Sequence, residues 1–483
     1  MIPPVDHECA LTPVVVELSN QVAKLTHELA QLRKAQFGPR TERTKMPRVP
    51  AGAPSTPEER LAKRRANARD KAQTETVRTE HKVPEARRTC PVCGNAKLKP
   101  IGAGRTSVVF EFVPARFVRH EHVQEVLRCK CGDYVVTAPG APKVIEKGRY
   151  GASFLAHLAV AKCADHTPIY RLEKDFRRQG FPLVRSTMNE LLHRASELTR
   201  PLWMRILEMI RVRPIVMADE TRLRMQDDGT GKAKTGFVWT FVAPDREGEQ
   251  DVAFVYAGDR SGETPKRILG DTDGYLLVDA YSGYNAVVEV SRRERAACHA
   301  HLRRYFHEAL ATAPVAQEAI DLILELYRIE HEATARKIVG TPKHLELRRR
   351  ESASVRTKLK AWLDGQLEHH PPKSPIGAAI RYGLNQWEEF GRFLDDARIP
   401  LDNNASERSL RRVALGRKNF LFVGDVDAGT SIAGLYTLIA TCEARGVNPF
   451  TYLASVIPRV QDHPAKKLDE LLPGAWAARQ VAA

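Results

Sequence analysis

The stretches Ile215-Val216-Met217-Ala218-Asp219 and Tyr275-Leu276-Leu277-Val278-Asp279 are apolar runs of strand length, and each ends in an aspartate. Such runs predict buried β-strands, because a strand covered on both faces is apolar at successive positions. A single aspartate after a strand is common in turns. Two at matching positions favour a shared site, so we predict that Asp219 and Asp279 lie at one edge of a sheet.

The residues around these runs predict the fold. Two more strands are expected over 236–242 and 252–256, and a short helix over 265–269. Three hairpin-connected strands, a helix and a fourth strand fit a ribonuclease-H-like topology, in which the first and fourth strands are neighbours. We therefore predict a multidomain α/β protein whose catalytic core, 214–301 and 391–445, is interrupted by a helical insertion domain over 302–390.

Glu407 is the third acidic candidate and lies at the predicted start of a helix. Asn404 and Glu407 also have capping-box spacing, so a purely structural role stays open. The surrounding cations favour phosphate binding, because Glu407 and Arg411 share one face of a helix. Residues 416–420 are predicted to form a turn on the DNA backbone. The candidate DNA contacts here are Arg408, Arg411, Arg412, Arg417 and Lys418.

The three carboxylates Asp219, Asp279 and Glu407 come from distant segments of the chain. Phosphoryl transfer by two divalent cations requires such a set, with the ions roughly 3.5–4 Å apart. We predict that these residues are catalytic and hold two magnesium or manganese ions per active site.

The charge indicates the partner. The 483 residues include 75 Lys+Arg and 59 Asp+Glu, which gives a formal net charge of +16. This balance favours a polyanion such as double-stranded DNA over a membrane. Neither a signal segment nor an apolar run of roughly 20 residues is present in the sequence, so we expect a cytoplasmic, nucleoid-associated protein.

Four of the eight cysteines form a CxxC…CxC pattern in which a glycine follows each pair. Two such turns can supply the four thiolates of a tetrahedral structural zinc site. We predict a zinc-binding module over 89–147, with strands at 107–113 and 119–123. It would contact DNA or only hold a small fold together. The predicted ligands are Cys90, Cys93, Cys129 and Cys131.

The N-terminal residues 1–37 predict a leucine-zipper-like helix. Leucines recur every seven residues from Leu11 to Leu32, with valine or leucine four positions after each of the first three. This pattern favours a short parallel coiled coil, although the helix could instead pack on the protein's own body. Residues 38–88 are predicted to form a basic linker. This linker could be mobile, could become an ordered helix on DNA, or could be only a solvated run of charged residues.

Residues 148–213 predict a helical, helix-turn-helix-like DNA-binding domain. A helix over 169–176, a glycine break and a helix from Ser186, its predicted N-cap, give this outline, although ordinary helical hairpins share it. The candidate contacts to DNA are Arg185, Ser186 and Asn189. For the Cys298-x-x-His301 pair, a structural role is favoured over a second zinc site. Residues 446–483 are predicted to form a C-terminal helical tail.

These motifs, in this order, resemble the DDE transposases of the bacterial insertion-sequence-sixty-six family. The resemblance covers nearly the whole chain. It rests on the leucine heptads, the CPxCG module, Ala218-Asp219-Glu220-Thr221, Asp279-Ala280-Tyr281-Ser282-Gly283-Tyr284-Asn285, Arg303-Arg304-Tyr305-Phe306, the segment from Asp402 to Arg411, and Gly416-Arg417-Lys418-Asn419. One departure is His299, where the family usually has tryptophan, which concerns local packing.

The resemblance implies that Asp219, Asp279 and Glu407 are the DDE triad of a DNA transposase. It implies cleavage at the ends of an insertion element, then attack of the freed 3′-hydroxyl on target DNA, and it suggests accessory proteins encoded by the same element. From the N-terminal heptads we expect a homodimer or higher oligomer that pairs two ends. Two alternatives stay open: a catalytically inactive DNA-binding regulator derived from a transposase, and a structure-specific nuclease.

Overall fold

The structure is a computed structural model. It describes residues 12–37, 116–128, 135–140, 143–146, 148–226, 232–244 and 250–482. By contacts the chain divides into one unit of Met1–Arg33 with Phe117–Ala483 and a second unit, Lys34–Arg116. Most of the second unit, with the basic linker and two of the zinc cysteines, lies outside the described residues.

The N-terminal helix α1 (Thr12–Phe37) carries the predicted heptads. The side chains of Val15, Leu18, Val22 and Leu25 are all exposed. The helix therefore exposes these four side chains, which we call its apolar seam, to solvent. The coiled coil that would bury this seam stays a prediction.

A short hairpin follows, in which β1 (Val126–Arg128) pairs antiparallel with β2 (Val135–Thr137). The prediction of a strand over 119–123 is wrong, because that segment has no regular structure and its side chains are exposed. The predicted strand at 107–113 lies outside the described residues.

Between the hairpin and the main sheet, the described residues form four helices: α2 (Ala152–Cys163), α3 (Ile169–Arg178), α4 (Arg185–Leu198) and α5 (Arg200–Arg211). The break between α3 and α4 includes Gly180, which has a positive φ of 77°. The predicted N-cap at Ser186 is wrong. Val184 is the N-cap, so Ser186 is the second residue of α4 and its side chain is exposed.

The main sheet contains β3 (Ile215–Gln226), β4 (Ala233–Pro244), β5 (Gln250–Ala257), β6 (Asp273–Val278), β7 (Arg292–Ala297) and β8 (Phe422–Val423). Its strand order is β5-β4-β3-β6-β7, and β8 pairs with β3. Strand β4 pairs antiparallel with both β3 and β5. Strands β6 and β8 each pair parallel with β3, and β7 pairs parallel with β6. Helices α6 (Glu263–Leu269) and α7 (Asn285–Val288) flank β6 in the chain.

The predicted adjacency of the first and fourth strands is confirmed. Ile215 faces Tyr275 and Met217 faces Leu277 in parallel register. Gly274 has a φ of +106°, and a Cβ there would lie 2.2 Å from the carbonyl oxygen of Pro214, so only glycine fits this close approach. Two positions further along this register, Asp219 within β3 lies beside Asp279, the residue that follows β6.

Strand β7 was not predicted, because its sequence is Arg292-Arg293-Glu294-Arg295-Ala296-Ala297. Arg293 is 1% exposed, and its guanidinium donates to the carbonyls of Tyr275, Arg211 and Arg213. Buried carbonyl oxygens therefore accept the hydrogen bonds of the Arg293 guanidinium. In the sequence, the three arginines suggested a segment exposed to solvent.

Helix α13 (Asn404–Phe420) follows an insertion, and α14 (Val426–Ala444) then packs on β5. Thr437 and Thr441 of α14 accept hydrogen bonds from the backbone N–H groups of Phe254 and Val252, at 2.9 and 3.2 Å. Helices α2–α5 share one hydrophobic core with the sheet and α14. The predicted boundary at residue 214 is therefore not a boundary between separate cores.

The insertion is helical, as predicted. It contains α8 (His299–Ala309), α9 (Ala316–Ala335), α10 (Pro342–Leu347), a π-helical turn (Arg348–Ser352), α11 (Ala353–Leu367), α12 (Pro375–Asn385) and a 3₁₀ segment (Glu389–Leu394). A second hydrophobic cluster joins α8, α9, α11 and α12.

The C-terminal tail comprises α15 (Pro449–Val456), a 3₁₀ segment (Ala465–Leu471) and α16 (Pro473–Ala482). Tyr452, Leu453 and Trp476 are buried in the main core. Across the described residues, no helix combines the length and apolarity needed to cross a membrane.

Candidate active site

Asp219 is half-buried within β3, next to the point where the parallel strand β6 ends. Its Oδ1 accepts the backbone N–H of Glu220 at 2.8 Å. Removal from water, with the negative charges of Glu220, Asp279 and Glu407, raises the pKa of Asp219 from 3.8 to about 7. The fold therefore holds three other carboxylates close enough to disfavour the ionisation of Asp219.

Glu220 is fixed by a clamp of side chains. Nε of Arg260 donates to its Oε1 at 2.8 Å, and the hydroxyl of Tyr284 donates to its Oε2 at 2.6 Å. The Arg260 guanidinium also lies 3.9 Å from the centre of the Tyr281 ring. This clamp joins the residue beside Asp219 to the loop after Asp279.

Asp279 follows β6 directly. Its Oδ1 accepts the backbone N–H of Tyr281 at 2.9 Å, which closes a tight turn. Arg295 of β7 donates to the Asp279 carbonyl oxygen. Both hydrogen bonds fix Asp279 at the end of β6.

Asn403 attaches the start of α13 to the same part of the sheet. It is 1% exposed, and its side-chain N–H donates to the carbonyl of Ala218 at 2.7 Å. Ser406 donates to the carbonyl of Asn403 at 2.9 Å. The predicted capping box is wrong, because the N-cap is Asn403 rather than Asn404 and the residue three positions later is therefore Ser406. Glu407 is consequently not a capping residue.

Two basic side chains of α8 face Glu407. Nε2 of His301 lies 3.6 Å from Oε1, and the Arg304 guanidinium lies 3.6 Å from Oε2. Oε1 of Glu407 is buried without a hydrogen-bond partner among the described residues. An orphaned carboxylate oxygen beside Asp219 is costly in the protein alone, and a divalent cation would satisfy it.

The exposed face of α13 next to Glu407 is cationic. Arg408, Arg411 and Lys418 are exposed on it. The predicted turn at 416–420 is wrong, because these residues form the last turn of α13. Arg412 pairs with Glu443 at 2.7 Å, and Arg417 donates to Thr221 at 2.9 Å.

The candidate contacts of the helix-turn-helix-like region lie on α4. Ser186 and Asn189 are exposed, whereas Arg185 pairs with Glu173 of α3 at 3.1 Å. The zinc candidates Cys90, Cys93, Cys129 and Cys131 lie outside the described residues. These assignments stay predictions.

The sequence reasoning gave no role to Glu220, Arg260, Tyr284 or Asn403, although all but Arg260 lie within the quoted motifs. The Asp219-Glu220 dipeptide was a usable signal, because a second buried acid demands a partner. The clamp and the Asn403 bond join residues 40 or more positions apart, which no local pattern shows.

The fold and the acidic residues beside its parallel strands define an α/β protein with a candidate metal centre. Comparison with known families gives its group. The model described as Transposase IS66 family matches residues 147–431, its zinc-finger binding domain matches 87–132, and the IS66 C-terminal element matches 437–473. The chain belongs to the IS66 transposase family, and the suspected resemblance is confirmed. The zinc-finger match includes all four predicted cysteine ligands.

Two relatives from Sinorhizobium fredii (strain NBRC 101917 / NGR234) are similar over most of their length. Uncharacterized protein y4hP is 30% identical over 428 residues, which cover 84% of this chain and 76% of the relative. Uncharacterized protein y4jD is 32% identical over 413 residues, covering 82% and 80%.

Proposed function

We propose that this protein is an active DNA transposase, which binds the ends of its insertion element, cleaves strands there and joins the freed 3′-hydroxyl to target DNA. One observation carries the proposal. The parallel β3–β6 pair, the Asn403–Ala218 hydrogen bond and the effect of Asp279 and Glu407 on the pKa of Asp219 together support a shared site for these three carboxylates. The strand order and directions also support a ribonuclease-H-like core.

Asp219, Asp279 and Glu407 would hold two magnesium or manganese ions. Bound there, the ions would supply Lewis-acid stabilisation and an activated oxygen nucleophile. The raised pKa of Asp219 fits this role, because a dication next to the carboxylates relieves their repulsion and favours the ionised form. The clamp on Glu220 keeps Asp219 and the Asp279 loop in place before DNA arrives.

The chain's own cations would position the DNA. Arg408, Arg411 and Lys418 form an exposed row beside Glu407, and guanidinium and ammonium groups in such a row suit phosphate oxygens. On α4, the exposed Ser186 and Asn189 would contact the element end. The zinc-finger domain, held by Cys90, Cys93, Cys129 and Cys131, would add a second DNA contact.

The exposed seam of α1 would pair two protomers. Leu18 is 54% exposed, Val22 61% and Leu25 64%, in one helical stripe. Leaving such a stripe in water is unfavourable, and a second α1 would bury it as a parallel coiled coil. A dimer would hold two element ends together, which joining requires.

Cleavage and joining of labelled duplexes carrying the DNA that flanks this gene, with magnesium or manganese, test the proposal. We expect metal-dependent nicking at the element end and a joined product, both absent with Asp279→Asn. Nicking without joining would indicate a nuclease. Binding without cutting, after addition of the element's accessory proteins, would indicate a regulator.

A further inference from the structure

Three potential metal ligands of different chemistry lie close together next to the candidate active site. They are the thiol of Cys298, the imidazole of His301 and the carboxylate of Glu407, and one ligand atom from each lies within 4.8 Å of the others. Cys298 and His301 come from the start of α8, whereas Glu407 comes from α13, more than 100 residues later. The Cys-x-x-His pair, which alone supplies two ligands, thus gains a third.

The cluster is sheltered and incompletely bonded. Cys298 is fully buried and not in a disulfide, and its sulfur accepts the backbone N–H of Asn403 at 3.2 Å. Nδ1 of His301 and Oε1 of Glu407 are both buried without a hydrogen-bond partner in the part of the chain that the structure describes. Two orphaned polar atoms next to a thiol call for an explanation.

We propose that Cys298, His301 and Glu407 form a binding site for zinc, with a fourth position open to water. Sulfur and imidazole ligands favour zinc over magnesium, which prefers oxygen. Three protein ligands and a water are typical of exchangeable zinc sites, in which Zn–S is about 2.3 Å and Zn–N about 2.0 Å. The side chains need to close by roughly 1 Å to reach those distances. On binding, the thiol proton of Cys298 passes to solvent and the thiolate becomes the ligand.

The site shares Glu407 with the proposed magnesium site. Zinc bound between Cys298, His301 and Glu407 would withdraw one carboxylate from the catalytic set, so zinc would inhibit strand cleavage. This consequence rests on the proposed function, whereas zinc binding itself does not. Its test therefore measures metal binding rather than DNA cleavage.

Cobalt(II) replaces zinc in such sites and reports a thiolate ligand by a sulfur-to-cobalt charge-transfer absorption. The full chain, with its N-terminal zinc-finger domain saturated by one zinc ion, would be titrated with cobalt. The finger keeps its zinc, because zinc binds such ligands more tightly than cobalt does. We expect a thiolate charge-transfer absorption whose intensity corresponds to one thiolate-bound cobalt per chain; cobalt bound by carboxylates alone gives no such band.

Cys298→Ser should abolish this absorption, whereas Cys442→Ser, at another buried free cysteine, should keep it. His301→Gln should keep a weaker thiolate band and raise the cobalt Kd by at least about tenfold. Asp219→Asn should keep the thiolate charge-transfer absorption of the wild type, which separates this site from the catalytic one. The proposal would be overturned if the wild type lacked the charge-transfer absorption, or if Cys298→Ser kept it unchanged.

Discussion

At the scale of single residues, Asp219 gives a prediction about pH. Folding raises the pKa of Asp219 from 3.8 to about 7, chiefly by burial, so the folded chain binds this proton more tightly than the unfolded chain. Without divalent cations, the contribution of Asp219 to the free energy of unfolding therefore falls as pH rises from about 4 to 7. Asp219→Asn removes this penalty.

In a chelator at pH 8, we expect Asp219→Asn to raise the Tm by about 2–8 °C, a gain of about 1–2 kcal/mol after allowance for solvent screening. At pH 4 the two proteins should melt alike. Thermal unfolding by circular dichroism at both pH values measures the difference. A wild type that melts higher than the variant at pH 8 would contradict the burial of an acid at this site.

Tyr284 gives a prediction about the clamp. Its fully buried hydroxyl donates to Glu220 at 2.6 Å, so Tyr284→Phe leaves a carboxylate oxygen with one partner fewer. We expect the free energy of unfolding to fall by about 1–3 kcal/mol, measured in urea. Tyr170→Phe, at an exposed ring, is the control and should stay within about 0.5 kcal/mol. Equal effects would mean that the Tyr284 hydroxyl does not hold Glu220.

The residues of the acidic site were predictable to different degrees. Asp219 and Asp279 follow apolar runs, and Glu407 sits among cations, so each leaves a local pattern in the sequence. Arg260 and Tyr284 do not, because an isolated arginine or tyrosine has no period and their partner Glu220 is distant in the chain. Long-range hydrogen bonds are set by the fold, which local patterns describe only in part.

At the scale of elements, the start of α13 decides where Glu407 lies. Asn403→Ala removes the hydrogen bond to Ala218 and leaves a buried carbonyl unpaired. We expect a loss of about 1–3 kcal/mol in urea unfolding and reduced DNA cleavage, because Glu407 is no longer fixed to the sheet. Asn404→Ala is the matched control. If it were the more damaging change, the capping box predicted from sequence would be right and the observed N-cap wrong.

Elements whose apolar residues follow a regular pattern were predicted from the sequence. Elements whose residue types are unusual for their secondary structure were not. Strands β3, β4, β5 and β6 lie where apolar runs indicated. Strand β7 was missed because its arginines look solvated, although Arg293 is buried among carbonyls. The last turn of α13 was taken for a loop because Gly416 suggests a break. In the structure a Cβ there would lie 2.7 Å from Phe420 and from the Tyr436 hydroxyl, so this glycine serves close packing.

At the scale of the whole molecule, α1 determines the expected assembly. Leu25→Glu places a charge in the apolar seam, and we expect it to shift the full chain from dimer toward monomer in sedimentation equilibrium. Lys24→Glu adds an acid one position away, outside the seam, and should leave the dimer in place. Monomeric wild type, or equal effects of the two variants, would show that α1 does not pair the protomers.

The central claim is that Asp219, Asp279 and Glu407 bind the catalytic ions, and exchange of a ligand tests it most directly. Asp279→Cys replaces an oxygen ligand by sulfur, which accepts manganese far better than magnesium. We predict that strand joining by this variant falls at least about 100-fold in magnesium and recovers at least about tenfold in manganese. Asp364→Cys, on an exposed turn of α11, should behave as the wild type. Full activity of Asp279→Cys in magnesium, or equal loss in both metals, would contradict the claim.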